Sequence, residues 1–271
     1  MNRAFIRETG LWPWLWRTAQ RQFFKRILRR NHSMLLPTGN RLLLPIDSFS
    51  ATEVFVAGAN IDWGSEALLA RLVGGKGAFL DVGANIGYYS VYFEPLVERV
   101  FAFEPDLRAR RHLIANVGNL TKVEVVTYAV GAETGTARFT QSRQSEVSHI
   151  AAAGEPGVEV PMVSIDDFVA ERDLTVSAIK TDVEGHDLDA LRGAEQVLAK
   201  QRPLVLSELQ PSPELAELTR RVGYAIFACA REPESRAMRF VRVDAAEARG
   251  LVFKMLLLVP NERAEEVRRV V

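Results

Sequence analysis

The chain has 271 residues, 48% hydrophobic and 25% charged, with a single cysteine, Cys229. These values suit one or two globular domains that bury a core unaided, and they exclude an internal disulfide framework, a thiolate metal cluster and a polytopic membrane protein. The formal net charge is zero, yet residues 1–31 carry eight basic side chains against Glu8 alone, which leaves the remainder acidic.

Residues 14–30 read as an amphipathic helix. At 100° per residue, Trp12, Leu15, Trp16, Ala19, Phe23 and Ile27 share an arc of about 120°, with Arg17, Arg21, Lys25 and Arg29 opposite. Three uses fit this pattern. The apolar arc packs on the main domain and the basic side faces water. Alternatively, residues 12–30 make a peripheral membrane contact, indoles at the headgroups and arginines on anionic lipid. In the third, they form a nucleic-acid arm, with aromatics stacking on bases. A secretory signal is not expected, because the apolar run Leu11–Trp16 contains Pro13 and ends at Arg17. The expected location is cytoplasmic, at most peripheral on the inner membrane surface.

Next comes a small hairpin, Met34–Leu36 and Arg41–Ile46, around the turn residues Pro37-Thr38-Gly39-Asn40. Ser65–Val73 reads as a short helix with Ser65 as its N-cap. Beyond Gly77 apolar runs alternate with helix-length segments. Strands are expected at Ala78–Val82, Arg99–Phe103, Val123–Val130, Val176–Asp182, Pro203–Leu209, Tyr224–Cys229 and Val252–Val259. Helices are expected near Gly87–Leu96, Asp106–Asn116, Ser164–Arg172, Asp187–Ala199 and Pro213–Val222. This alternation predicts an α/β fold with a mostly parallel seven-stranded sheet covered by helices on both faces. Ala137–Thr140 and Val158–Val163 predict an added hairpin, and the polar stretch Gln141–Pro156 a surface loop long enough to act as a lid. The expected boundary lies near residue 76, with an N-terminal extension over 1–76 and the α/β domain over 77–271.

Ligands of such a sheet bind at the carboxyl ends of its strands. The first strand runs into Asp81-Val82-Gly83-Ala84-Asn85-Ile86-Gly87, a glycine turn opening a helix. The middle glycine of a dinucleotide fingerprint is absent, and Asp81 would repel a pyrophosphate. That acid instead suits the ammonium and sulfonium of S-adenosylmethionine. Tyr88 and Tyr89 offer aromatic faces to a cation or pack the helix. Glu104 ends the second strand 23 residues after Asp81, where a carboxylate holds a ribose diol; the lesser alternative is that Glu104 or Asp106 caps the next helix. The third tip is Lys180-Thr181-Asp182-Val183-Glu184-Gly185-His186. A lysine in a central strand needs a carboxylate partner, and His186 is a natural general base for a hydroxyl. Asp182, Glu184 and His186 could hold a metal, but nothing in their spacing demands one and no metal is assigned.

Together DVGANIGYYS (81–90), FAFEPD (101–106), LIAN (113–116), VSIDDF (163–168), KTDVEGHDLDALRGA (180–194) and RPLVLSEL (202–209) resemble the FkbM family of S-adenosylmethionine-dependent methyltransferases. The resemblance implies a Rossmann-like class I fold, with Val252–Val259 as an antiparallel last strand. It implies O-methyl transfer to a sugar, glycan, lipid-linked or polyketide-type hydroxyl. Cofactor binding falls to Asp81, Gly83, Asn85, Gly87 and Glu104, and catalysis to Asp182, Glu184 and His186. Thr181 and Asp187 depart from the family's commoner apolar residue and Glu. Two other readings remain at this point. One is a NAD-dependent oxidoreductase. The other is a non-catalytic binding module attached to membrane or RNA by its first helix. An acidic body argues against broad nucleic-acid binding. The acceptor's identity and the oligomeric state have no sequence signal.

Overall fold

The computed structural model describes residues 6, 8–140, 150, 156–235, 237–243 and 249–270. Helix α1 (Leu11–Gln22) continues as a π-helical turn over Phe23–Leu28. The hairpin β1 (His32–Leu35) and β2 (Arg41–Leu44) follows, then α2 (Ser50–Ala57) and α3 (Ser65–Leu72). The α/β body runs β3 (Ala78–Val82), α4 (Tyr88–Phe93), β4 (Arg99–Phe103), α5 (Leu107–Val117) and β5 (Val123–Val126). Three short strands, β6 (Ala129–Val130), β7 (Gly135–Phe139) and β8 (Val158–Val163), precede α6 (Ile165–Glu171). The second half is β9 (Val176–Thr181), α7 (Asp187–Arg192), α8 (Glu195–Gln201), β10 (Leu204–Ser207), α9 (Pro213–Val222), β11 (Tyr224–Arg231), β12 (Arg239–Arg242), β13 (Val252–Pro260) and α10 (Ala264–Val270).

The main sheet has the order β12-β11-β13-β10-β9-β3-β4-β5. Strands β10, β9, β3, β4 and β5 are parallel, and β13 runs antiparallel between β10 and β11. The order reverses between β3 and β9, which opens a ligand crevice at their carboxyl ends. The sheet thus carries one strand beyond the seven expected. β12 lies on the edge, and Phe240 stacks on Phe227 at 5.1 Å while Arg239 and Arg242 bracket it. β8 lies between β6 and β7 in a separate small sheet, with the expected β7–β8 hairpin antiparallel. The lid expected over 141–156 lies, apart from Ile150 and Pro156, outside the described residues.

Two apolar layers sandwich the sheet. One carries Phe79, Ala178 and Leu206 together with Leu42, Leu44, Val54 and Leu69, so the hairpin, α2 and α3 share the core of the α/β body. The other packs Leu80, Ile179 and Val205 against Phe168, Leu191 and Leu215 of α6, α7 and α9.

The N-terminal helix docks the opposite way from the packing expectation. Arg17 and Arg21 of its basic side face the protein. Arg21 is fully buried and donates to the carbonyls of Leu44 (3.1 Å) and Pro45 and to Thr52 Oγ1 (3.2 Å). Arg17 donates to Val56 O at 3.1 Å and lies over Gly58, whose left-handed backbone (φ 72°) ends α2. A guanidinium meets the unpaired carbonyls of a helix C-terminus favourably. Trp12, Leu15, Trp16, Ala19, Phe23 and Ile27 are exposed. Ser65 is likewise not an N-cap. Gly64 (φ 92°) takes that position, because the chain reverses through Trp63 (φ 58°) just before α3. Among the described residues no helix is long and apolar enough to cross a membrane.

Candidate active site

The site is built where β3 and β9 end side by side. Parallel pairing sets Asp81 beside Lys180 and Val82 beside Thr181. Gly83 then turns with φ 76°, and a Cβ there would lie 1.9 Å from the Asp182 carbonyl oxygen. Only glycine permits that approach.

Lys180 is the hub of the crevice. Its Nζ donates to Gly83 O at 2.9 Å and lies 3.3 Å from Asp182 Oδ2 and 3.6 Å from Asp81 Oδ1. It also stands 5.3 Å over the Tyr89 ring. Burial alone would lower its pKa, but Asp182, Asp81 and Asp62 hold the ammonium above the ordinary lysine range. The expected lysine–carboxylate pairing is therefore present twice. Asp81 is fully buried and accepts from Ser90 Oγ at 2.6 Å. Burial pushes its carboxyl up, against the pull of Lys180. Asp81 thus braces the turn from beneath.

Glu104 is the second anchor. Its Oε2 accepts from the Asn85 amide and its Oε1 from the Asp106 amide, each at 2.8 Å. Burial pushes it up to about 7, against those two bonds. Asp106, not Glu104, caps α5, accepting from Arg108 N and Ala109 N. Asn85 adopts φ 50° and donates from Nδ2 to Ser50 Oγ at 3.2 Å. Gly87 begins α4 with its α-carbon against Leu113 of α5.

Asp182 is partly exposed at the crevice mouth. Burial would raise its pKa, but Lys180 and a hydrogen bond from Glu208 hold it below the usual carboxylate range. Glu208, just past β10, is raised by burial, by Asp182's charge and by its hydrogen bond with Asp182. Glu184 forms the exposed tip of the turn in left-handed backbone (φ 47°), and its charge also raises Glu208. His186 precedes α7. Its Nε2 donates to the Ile150 carbonyl at 3.1 Å, and its Nδ1 lies 3.7 Å from Asp189 Oδ2. Behind it Asp187 is buried and accepts from Val183 N at 3.4 Å, closing the turn.

The N-terminal extension adds two acids that sequence reasoning missed. Asp62 accepts from Tyr89 Oη, and burial and the charge of Asp182 raise its pKa. Glu66 accepts from Tyr88 Oη at 3.2 Å and is pushed up to about 7 by burial and then by Asp62. Tyr88 and Tyr89 are therefore buried helix residues that also tie these acids to the crevice. Glu208 had a legible signal, an acid ending a buried strand beside β9. Asp62 had none, since it lies in an irregular turn far from the motifs.

The residues fit S-adenosylmethionine. Asp81 Oδ1, 3.6 Å from the Lys180 ammonium, and Asn85 Oδ1 are buried acceptors that receive no hydrogen bond. Glu104 keeps a second lone pair on each oxygen, and the turn brings backbone to the crevice without a side chain at Gly83. Among the described residues no group of three or more His, Cys, Asp or Glu is arranged to hold a metal ion.

Several known proteins are similar to this chain. The hexuronic acid methyltransferase AglP of Haloferax volcanii is 27% identical over 169 residues, covering 54% of this chain and 68% of that protein. Among solved structures, Methyltransferase FkbM from Methylobacillus flagellatus superposes with a TM-score of 0.45 at 19% identity, over 68% of this chain but only 44% of that one. M. jannaschii TYW2 in complex with AdoMet gives 0.46 at 12% identity, over 84% of each chain. The Methyltransferase FkbM domain matches residues 81–230, from the buried Asp81 to the end of β11. That match takes in both strand tips of the crevice and sets aside the oxidoreductase reading: the chain belongs to the FkbM methyltransferase family.

Proposed function

We propose that the protein is an O-methyltransferase acting on a hydroxyl of a sugar-type acceptor, of the glycan or lipid-linked kind. The carrying observation is the family match over a crevice in which Lys180 keeps Asp182 ionised at 3.3 Å. Similarity to a hexuronic acid methyltransferase favours a sugar. S-adenosylmethionine, when bound, supplies an electrophilic methyl group on a sulfonium. Glu104 would hold its ribose hydroxyls, Asn85 and the Gly83 turn its adenosine side, and Asp81 its ammonium end.

The chain's own part is to position the acceptor oxygen and receive its proton. Asp182 accepts a hydrogen bond from the acceptor and fixes its orientation. His186 takes the proton. The Ile150 carbonyl oxygen, 3.1 Å from Nε2, stands in for the acceptor hydroxyl. When the hydroxyl replaces it, the neutral ring takes the tautomer with its one proton on Nδ1, the nitrogen already facing Asp189, and offers the Nε2 lone pair to the hydroxyl. Alignment of the oxygen with the methyl carbon contributes about 7–11 kcal/mol of barrier reduction in well-oriented systems.

The test is labelled methyl transfer from S-adenosylmethionine to hexuronic-acid and neutral-hexose glycans. His186→Ala is expected to lower turnover by roughly 10²–10⁴-fold while S-adenosylmethionine affinity holds. Wild-type turnover in that variant removes His186 as the base, and label found on nitrogen or carbon removes the O-methyl reading.

A further inference from the structure

The reversed docking of the first helix leaves its whole apolar arc uncovered. Trp12 is 78%, Trp16 67% and Ile27 69% exposed, with Leu15 and Phe23 between them. Such a contiguous apolar stripe on a monomer's surface marks an interaction site. Its surroundings are one-signed. Arg26, Arg29 and Arg30 are exposed at the C-terminal end of the stripe, and no acidic residue occurs between Glu8 and Asp47.

We propose that residues 11–30 are a membrane-docking surface that lies in the headgroup layer of an anionic bilayer, tryptophans at the interface and arginines on lipid phosphates. Indole rings, with an apolar body and one N–H donor, favour that layer, and each basic side chain near an anionic surface adds attraction. A second copy of the chain fits less well. A two-fold contact through this stripe would bring the same arginines of both copies together. RNA fits less well too, since Leu15 and Ile27 offer bases nothing to stack on.

The docked helix is wired to the catalytic crevice. Arg17 and Arg21 fix it to α2, and Ser50 at the start of α2 accepts from Asn85 in the cofactor turn. The docked helix is thus joined through α2 to the turn that carries Asn85. Resting on the acceptor reading above, docking holds the enzyme on the same surface as a lipid-linked sugar.

The experiment uses the full chain with vesicles of phosphatidylcholine and phosphatidylglycerol, 7:3, and of phosphatidylcholine alone. Wild type is expected to co-sediment with the anionic vesicles, to shift its indole emission to the blue, and to release at high salt. The triple variant Trp12→Ser, Trp16→Ser, Ile27→Ser should lose at least tenfold in partitioning while its melting temperature and its turnover of a soluble acceptor hold. Arg26→Glu with Arg29→Glu and Arg30→Glu should lose the preference for anionic lipid. The proposal is overturned if wild type stays in the supernatant, or if the triple variant sediments like wild type. It is also overturned if the stripe proves to mediate a dimer or RNA binding that the triple variant abolishes. Vesicle binding without methyl transfer to any sugar would instead sink the acceptor reading and leave the docking surface standing.

Discussion

Glu104, like Glu66, is a residue whose charge state the fold leaves near balance. Its carboxyl is pushed up to about 7 by burial, and two backbone amides restrain that rise. In the proposed ribose role both hydroxyls donate to it, so the ionised form would bind the cofactor and the protonated form would lack one acceptor. S-adenosylmethionine affinity should therefore strengthen as pH rises through about 7. Titration calorimetry across pH 6–8 would show it, and Glu104→Gln should flatten the profile and weaken binding by about tenfold or more, each charged hydrogen bond contributing about 1.5–3 kcal/mol. A flat wild-type profile would contradict the ribose role. Gly83 makes a sharper steric demand. A methyl group 1.9 Å from the Asp182 carbonyl would force β3 and β9 apart at their tips. Gly83→Ala should cost about 2 kcal/mol or more in denaturant unfolding, from positive φ and overpacking together. Both residues were legible in the sequence, because strand-to-turn chemistry is local. Asp62 and Glu66 were not, since their place beside the crevice depends on how the extension folds over α4.

At the scale of elements, legibility followed burial. Central parallel strands such as β3 and β10 are buried along their length and read as plain apolar runs. β12 alternates too weakly to be seen, with only Phe240 and Val241 between arginines. α2 was missed although its signals were present, Ser48 Oγ accepting from Ala51 N at 3.1 Å and Gly58 closing the end. The first helix was legible as a helix but not in its orientation. Periodicity assumes that the apolar side goes in, whereas Arg21 goes in because carbonyls of β2 and Thr52 satisfy its donors. His32 reports on this docking. It stacks on Phe24 at 4.1 Å and lies 3.3 Å from Arg21 Nη1, and burial, then Arg21's charge, push it down to about 4. A histidine depressed from its ordinary 6.5 favours the docked state fully above that value, and the contribution is lost as pH falls toward 4. The helix should loosen across that window, seen as faster proteolysis near residue 30 while far-ultraviolet circular dichroism of the body persists. His32→Phe should remove the pH dependence.

Across the whole molecule, the start of the chain is clamped to the last strands of the sheet. Glu8 lies 3.4 Å from Arg231 Nη2 and 3.5 Å from Lys254 Nζ, and both cations stand over the Trp63 ring, at 4.0 and 5.3 Å. Lys254 also donates to Ile61 O at 2.7 Å, next to Asp62. One carboxylate thus joins β11, β13 and the turn that carries Asp62 into the crevice. Arg231 and Glu8 are both nearly buried, so removing the acid strands a buried guanidinium, which typically costs about 3–5 kcal/mol. Glu8→Ala should therefore lower stability far more than a surface charge change would. Replacing the partners together, Glu8→Leu with Arg231→Met, should recover most of the loss, because no unpaired charge remains. Both variants keep the exposed stripe of the first helix intact. If Glu8→Ala unfolds at the wild-type denaturant midpoint, the clamp is a surface pair without weight. If it is destabilised as expected, methyl transfer should fall with it even when the protein is still folded, since the Asp62 turn then loses its hold at Lys254.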